Sequence, residues 1–290
     1  MARRAVVAAE TADAGLYVVA TPLGNLGDIS ERALSLLRQV DLIAAEDTRH
    51  SGRLLHHFGI VTPLFSLHEH NEEQQLATLL ERVAQGEAIA LISDAGTPLI
   101  SDPGYRIVRE AHRRGLRVIP IPGASAVTTA LSVAGIPSDR FLFIGFLPAK
   151  GSGRRSELQQ LQYERASLIF YESTHRIVEC VTDMAAILGP EREVALCREL
   201  TKSFETILLT ELGSLCARLE REREQRLGEF VLVVRGAAPR REVEAEEALR
   251  MATILAQELP LRQAAHLAAK ISGYKKNRLY AELLEMRDGE

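Results

Sequence analysis

The sequence contains no tryptophan and only three cysteines among its 290 residues. Cys180, Cys197 and Cys216 form neither a Cys-x-x-Cys pair nor an even set, so the spacing indicates no disulfide framework and no zinc site. This usage fits a reducing compartment, and we expect a cytoplasmic protein with buried thiols. No apolar run approaches the ~20 residues of a membrane span, so we expect no membrane segment.

An excess of positive charge is also missing. The chain has 35 Lys and Arg residues against 39 Asp and Glu residues, which gives a formal net charge of −4. The net charge therefore gives no indication of nucleic-acid binding, and any nucleic-acid contact must be made by a local basic patch. The 46% apolar and 26% charged content is typical of a globular protein, and the length allows two domains.

Several motifs of nucleotide, ester and metal chemistry are absent. The sequence has no G-x-G-x-x-G, no P-loop and no G-x-S-x-G elbow around Ser125, which argues against ordinary dinucleotide binding, NTP hydrolysis and serine hydrolysis. His68 and His70, with His56 and His57 nearby, match no zinc spacing. We therefore predict no metal site.

What the sequence does contain is a regular alternation of strands and helices over residues 15–135. This alternation is typical of a parallel sheet covered on both faces. The predicted strands are 16–21, 41–45, 63–67, 88–92 and 117–121.

Polar or Gly/Pro-rich turns follow the strands of this first domain. The longest, residues 94–104, contains two Asp-bearing turns and exceeds what a short connection needs. Because the carboxyl ends of parallel strands meet at one edge, we expect a ligand cleft there. Small residues at 122–126, with Ser125 as a capping hydroxyl, open the next helix and place free N–H groups at the same edge. The other turns are 22–28, 46–50 and 68–71.

Residues 136–236 predict a second α/β domain with a mixed sheet, because strands and helices interleave less regularly there. Its predicted strands are 141–146, 167–171, 194–198 and 229–234, with helices over 174–188 and 211–226. The segment 147–155 is interpreted as flexible and basic. Residues 171–176 close a strand, and their Glu, His and Arg are either functional or the flanks of a capping box at Ser173 or Thr174.

The two ends of the chain differ from these domains. Residues 1–14 predict a flexible tail rather than a signal peptide. Residues 237–290 predict three short helices, 242–257, 261–271 and 276–286, in an arrangement like a helix-turn-helix. The alternative is a charged helical cap without a nucleic-acid role, since acidic residues 242–247 dilute the basic residues Lys270, Lys275, Lys276 and Arg278.

Nine segments together resemble one family. That family is the bacterial small-subunit ribosomal RNA methyltransferases I, of the tetrapyrrole (precorrin) methylase superfamily, and the likeness runs almost continuously from 16 to 236. The segments are ATPLGNLGDIS (20–30), AEDTRHSGRLLHHFGI (45–60), HEHNE (68–72), LISDAGTPLISDPG (91–104), PGASA (122–126), FLFIGFLP (141–148), YESTHRI (171–177), REL-TK-FE (198–205) and GEFVLVV (228–234).

The resemblance implies two α/β domains of the tetrapyrrole methylase type, S-adenosylmethionine bound between them, and 2′-O-methylation of cytidine 1402 in 16S rRNA. It further implies a homodimer that acts on 16S rRNA within the 30S subunit. On the superfamily's pattern the expected cofactor residues are Leu23, Asp94, Ala95, Gly96, Thr97, Pro98, Ile100, Ser125, Ala126, Leu147, Cys197 and Phe230.

Charged residues in or beside the strand-end motifs are the candidates for chemistry and RNA binding. A ribose hydroxyl is a poor nucleophile and gains from an acceptor for its proton, for which Glu172, His175 and Glu205 are candidates. Each is equally well explained as an ion pair that shapes the cleft. The candidate phosphate, ribose and RNA contacts are Arg49, Lys150, Arg154, Arg155, Arg176 and Lys202, together with the basic tail.

Two other functions remain open at this point. A methylase of the same fold that acts on a tetrapyrrole or another small molecule would not need residues 237–290. A non-catalytic nucleic-acid-binding regulator would bind through 237–290 alone and would bind no cofactor with 15–236.

Overall fold

The computed structural model describes residues 12–68, 72–238 and 245–288, so most of the predicted N-terminal tail and His70 lie outside the described residues. The described residues up to Arg235 form one compact unit, and the described residues from Gly236 onward form a second. None of the described helices is long and apolar enough to cross a membrane.

The first sheet is five-stranded and entirely parallel. Its strands have the order β3-β2-β4-β1-β5, and all five predicted strands are confirmed to within two residues. The strands are β1 Gly15–Val19, β2 Leu42–Ala45, β3 Leu64–Ser66, β4 Ala88–Ile92 and β5 Val118–Ile121.

Helices cover both faces of this sheet, as the alternation predicts. One apolar layer joins Val19 and Ile43 to helices α1 and α2, and the other joins Leu16 and Leu91 to helices α3 and α4. The Ser30 hydroxyl caps α1 and the Asp47 carboxylate caps α2, which fixes where each helix begins. These helices are α1 Glu31–Leu37, α2 Thr48–His57, α3 Glu72–Ala84 and α4 Tyr105–Arg113. The next helix, α5 Ala126–Val133, packs against the second sheet instead.

The second sheet is mixed, which confirms the prediction. Its order is β6-β7-β10-β8-β9, with β6 parallel to β7 and the remaining pairs antiparallel. The strands are β6 Phe141–Phe146, β7 Ser167–Ser173, β8 Glu193–Arg198, β9 Thr206–Glu211 and β10 Glu229–Val234. Strand β9 was not predicted. It lies at the sheet edge, where Ile207 and Leu209 are 40% and 48% exposed, so its sequence lacks a buried-strand pattern.

The prediction of a flexible segment over 147–155 is wrong for its second half. Residues Gly151–Leu161 form helix α6, which packs on α7, Ile177–Leu188. Arg154 is only 4% exposed, and its Nε lies 2.6 Å from Asp183 on α7. Arg154 therefore holds the two helices together and presents no charge to RNA.

The capping-box interpretation of residues 171–176 is also wrong. Strand β7 continues to Ser173, and α7 begins after Arg176 with no side-chain cap. Instead, the Thr174 hydroxyl donates to the Gly228 carbonyl at 2.9 Å and accepts from the Gly228 N–H at 2.8 Å. This pair ties the end of β7 to the start of β10. Helix α8, Leu212–Arg221, and a 3-10 turn at Arg223–Arg226 complete this half.

The three predicted C-terminal helices are confirmed. They are α9 Ala245–Ala256, α10 Leu261–Ser272 and α11 Lys276–Asp288. Their core is mostly alanine, with Leu279 and Leu283 from α11, so the helices approach closely. Gly273 ends α10 in the left-handed conformation, with φ 76°.

Arg154 and its neighbour Arg155 provide a matched test of the α6–α7 ion pair. Both contact Asp183, but the Arg155 side chain is 53% exposed and its contact is 3.5 Å long. We expect Arg154→Ala to lower the free energy of unfolding by about 3 kcal/mol, because it removes the 2.6 Å partner of the largely buried Asp183 carboxylate and leaves it only the longer contact with Arg155. Arg155→Ala should cost less than about 1 kcal/mol. Urea denaturation measures both, and equal losses would contradict this assignment.

Candidate functional site

A cavity of about 280 Å³ lies where the carboxyl ends of β1, β4 and β5 meet the second sheet. Nine of the twelve predicted cofactor residues line it: Leu23, Ala95, Gly96, Thr97, Ile100, Ser125, Ala126, Cys197 and Phe230. Asp94 lines a neighbouring cavity instead, while Pro98 and Leu147 line neither. The long 94–104 turn thus lies at the cleft where the parallel sheet predicts it.

Sequence reasoning missed eight further lining residues. Ser101 and Asp102 belong to the 94–104 turn, so the run of turn residues beyond Ile100 was an available signal for them. The other six come from the second domain, and only the facing of the two sheets brings them to the cavity: Phe146, Tyr171, Ser173, Leu200, Glu229 and Val231.

The 94–104 turn is held by backbone bonds in a strained conformation. Thr21 and Gly96 exchange two N–H to carbonyl bonds of 2.8 and 3.0 Å, which pin the turn to the end of β1. Leu99 and Ser101 have φ of 74° and 67°, a region that costs a non-glycine residue about 1–3 kcal/mol. Such strain is typical of functional turns, and here it accompanies the placing of Ile100, Ser101 and Asp102 at the cavity.

One wall of the cavity combines an aromatic cluster with a carboxylate. The Tyr171 ring lies edge-on to Phe143 and Phe146, with centroids 5.0 and 5.7 Å away. Burial raises the pKa of Tyr171 to about 12, the charge of Asp102 adds to this, and a hydrogen bond with the Val127 backbone opposes it. The Tyr171 hydroxyl is therefore neutral at physiological pH.

Asp102 is the carboxylate of this wall, and its environment changes its pKa. Burial raises its pKa, a hydrogen bond with Ser93 opposes the rise, and the nearby charge of Asp94 adds to it. A half-buried carboxylate among apolar groups suits recognition of a ligand with hydroxyl or ammonium donors.

Of the three predicted catalytic residues, Glu172 alone lines the cavity. Its Oε1 accepts from the Ser173 N–H at 2.9 Å, and its Oε2 lies 3.3 Å from the Arg176 guanidinium. Oε2 has no hydrogen-bond partner among the described residues. His175 is exposed, and the Glu205 carboxylate accepts from the Thr201 N–H at 2.7 Å; neither lines this cavity or its neighbour.

A second cavity, of about 660 Å³, adjoins the first and shares Leu23, Ala95 and Glu229 with it. Helix α2 provides one wall through His50, Arg53, Leu54 and His57. The remaining lining residues are Pro22, Gly24, Leu26, Asp94 and Lys202.

Lys202 is held in place at the second cavity. Its Nζ lies 3.0 Å from Glu199 and 2.8 Å from Glu229, and its stem covers Gly24 so closely that a Cβ there would collide with it. Burial opposes a rise in the Lys202 pKa, but the hydrogen bonds to Glu229 and Glu199 outweigh it and raise that pKa. Lys202 is therefore protonated, and its positive charge is balanced by the carboxylates of Glu199 and Glu229.

The structure scatters the other predicted RNA contacts. Arg176 lies behind Glu172 and donates to the Leu147 carbonyl, while Arg49 is 90% exposed, pairs with Asp47 and lines neither cavity. Lys150 and Arg155 are exposed at the start of α6. Within the described residues, no group of three His, Cys, Asp or Glu side chains is placed to hold a metal ion.

Comparison with known proteins identifies the family of this chain. A profile described as Tetrapyrrole (Corrin/Porphyrin) Methylases matches residues 15–216, and one described as RsmI C-terminal HTH domain matches 242–287. Ribosomal RNA small subunit methyltransferase I of Escherichia coli O157:H7 is 53% identical over 96% of this chain and 98% of its own length. The chain belongs to this family. The Pseudomonas aeruginosa member is 54% identical over 93% of this chain and 96% of its own length.

Solved structures agree on the fold of this family member. Diphthine synthase has a TM-score of 0.57 at 18% identity, covering 76% of this chain and 89% of its own. Uroporphyrin-III-C-methyltransferase from Thermus thermophilus has a TM-score of 0.55 at 19% identity, covering 77% and 94%. At such low identity these likenesses concern the fold alone.

The cavity-lining thiol of Cys197 yields a pH prediction. Burial raises its pKa to about 11, and the negative charge of Glu205 adds to the rise. Only the thiolate reacts with iodoacetamide, so its alkylation rate should climb about tenfold per pH unit between pH 7 and 9.5 without levelling off. Peptide mapping by mass spectrometry measures the rate at this thiol. Glutathione is the control, and a plateau for Cys197 at or below pH 9 would refute the prediction.

Proposed function

We propose that this protein is an S-adenosylmethionine-dependent methyltransferase that methylates the 2′-hydroxyl of cytidine 1402 in 16S rRNA, at the ribosomal decoding site. The observation that carries the proposal is the 280 Å³ cavity at the carboxyl edge of a parallel sheet, in a chain of the ribosomal RNA small subunit methyltransferase I family. The adjoining 660 Å³ cavity leaves room for a second, larger reactant.

The residues of the first cavity fit S-adenosylmethionine. Leu23, Ala126 and Phe230 offer apolar surface to the adenine, and Asp102 offers a carboxylate to hydroxyl or ammonium donors. Gly96, with φ 78° and an added Cβ only 3.2 Å from Leu23, keeps one wall free of side chain so that backbone reaches the ligand. When bound, the cofactor supplies an electrophilic methyl group on a positively charged sulfur.

The protein's own contribution is alignment and a proton acceptor. Holding the ribose oxygen in line with the methyl carbon removes much of the entropic barrier. Of the three candidates for the acceptor, Glu172 is the one at the cavity, and its Oε2 is free of hydrogen bonds from the described residues. The Arg176 guanidinium lies 3.3 Å from Oε2 and orients this carboxylate, which accepts a hydrogen bond from the attacking hydroxyl.

Glu172→Gln tests this role. We expect turnover with saturating RNA to fall about 10²-fold to 10⁴-fold, because the amide accepts a proton far less readily. Cofactor affinity by calorimetry should stay within about threefold, since the shape of the side chain is kept. His175→Ala and Glu205→Ala should retain most activity because both side chains lie outside the two cavities. A loss on His175→Ala as large as that on Glu172→Gln would contradict the assignment.

The reaction itself is tested by transfer of labelled methyl from S-adenosylmethionine to 30S subunits and to free 16S rRNA, both from cells that lack the enzyme. We expect label at one decoding-site cytidine, with alkali-resistant cleavage at that position because the 2′-oxygen is blocked. Preference for 30S subunits would mean that a folded RNA surface is read. Cofactor binding without label on either RNA would instead indicate a small-molecule methylase.

Removal of the C-terminal unit distinguishes the proposed function from the two alternative functions. A chain ending at Arg235 should bind cofactor but methylate 30S subunits poorly, because residues 242–287 match a helix-turn-helix profile and supply a second RNA contact. A small-molecule methylase would keep its activity, and a non-catalytic regulator would show no cofactor binding in either form. We place the enzyme in the cytoplasm, acting as a homodimer on the small subunit.

A further inference from the structure

Three basic side chains occupy one face of helix α2. His50, Arg53 and His57 stand at positions i, i+3 and i+7, which a helix places in one row, and all three line the second cavity. His56 on the same helix is exposed and lines neither cavity. Arg49 is a further basic residue of α2 outside both cavities, so the row formed by His50, Arg53 and His57 is the part of the basic helix surface that faces the cavity.

These basic groups are available to a ligand, whereas the acidic groups of the cavity are engaged. Neither His50, Arg53 nor His57 forms an ion pair with any described residue. In contrast, Asp94 accepts from the Asp47 N–H at 3.1 Å, and Glu229 pairs with Lys202 at 2.8 Å. The α2 wall of the cavity therefore offers one guanidinium and two imidazoles that form no ion pair with the described residues, while Lys202 and Glu229 pair with each other on the wall beside the first cavity.

We propose that the second cavity is the subsite of the target nucleotide, with a phosphate of the RNA strand against His50, Arg53 and His57. This rests on the proposed function, since it names the place where that RNA is held. Guanidinium and imidazole donors match phosphate oxygens, and a phosphate contact fixes the strand without reading its sequence.

The dimensions of the cavity and its shared wall agree with this orientation. A volume of about 660 Å³ accepts a nucleotide, and Pro22, Leu26 and Leu54 give the base apolar surface. With the phosphate on α2, the ribose faces the wall formed by Leu23, Ala95 and Glu229, which both cavities share. The hydroxyl to be methylated therefore lies next to the first cavity.

Two substitutions with matched controls test the subsite. Arg53→Gln and His57→Ala should each lower kcat/KM for 30S subunits about tenfold, with cofactor affinity unchanged within about twofold. Arg53→Gln should also reduce the slope of log affinity against log salt by about one, the loss of one phosphate contact. The controls are His56→Ala on the same helix and Arg113→Gln at the far end of α4, whose side chain is 74% exposed; both should match the unaltered protein.

Direct binding separates this inference from the proposed reaction. Fluorescence anisotropy with a labelled RNA hairpin of the decoding-site sequence, in the presence of S-adenosylhomocysteine, reports binding without methyl transfer. Weaker binding by Arg53→Gln and His57→Ala supports the subsite even if no methylation of 30S subunits is detected, an outcome that would overturn the proposed reaction alone. Unchanged hairpin affinity and an unchanged salt slope for both variants, or equal losses in the two controls, would overturn the subsite.

Discussion

The candidate site depends on how the 94–104 turn is tied to its neighbours. Thr21 bonds to Gly96 through two backbone hydrogen bonds of 2.8 and 3.0 Å, and its hydroxyl donates to the Ser93 carbonyl at 3.1 Å. Asp94 receives the Asp47 N–H at the start of α2, and the Thr97 hydroxyl donates to the Ala124 carbonyl in the turn after β5. The turn after β4 is therefore connected to the carboxyl ends of three other strands, β1, β2 and β5, and its residues line both cavities. Because these groups are backbone atoms or buried and half-buried polar side chains, losing one partner would leave another unsatisfied, which makes the arrangement rigid.

That rigidity explains why the turn tolerates unfavourable conformations. Leu99 and Ser101 in the first domain, and Glu199 and Thr201 in the second, all have positive φ, and both segments border the cavities. A surrounding network that over-determines the backbone can hold such residues in place. The backbone strain occurs in the turns that place charged side chains at the cleft, since Asp102 and Lys202 reach it from turns and not from helices or strands.

The charge that the cleft presents depends on which side chains form ion pairs more than on the net charge of the chain. The protein carries a net charge of −4, yet the α2 wall of the second cavity presents basic side chains free of ion pairs with the described residues. Other basic side chains are paired with carboxylates inside the protein. Arg154 holds α6 to α7, Arg176 faces Glu172, and Lys202 lies between two carboxylates. A net-acidic chain can in this way offer a local anion-binding surface without general affinity for nucleic acid.

Local sequence by itself determined the elements and the edge at which the site forms. The spacing of apolar residues and the residue types of turns are short-range signals. The five parallel strands, the long 94–104 turn and the three C-terminal helices were therefore all predictable. The edge strand β9 was not, because its residues alternate between half-buried and exposed and none is buried, so its sequence lacks a buried run. Only the tertiary structure decided which charged residues face a cavity. Arg154 and His57 look alike as basic residues on helices, but one is buried against a carboxylate and the other opens onto the cleft. That difference depends on what packs against each helix, and the packing is set by residues far away in the chain.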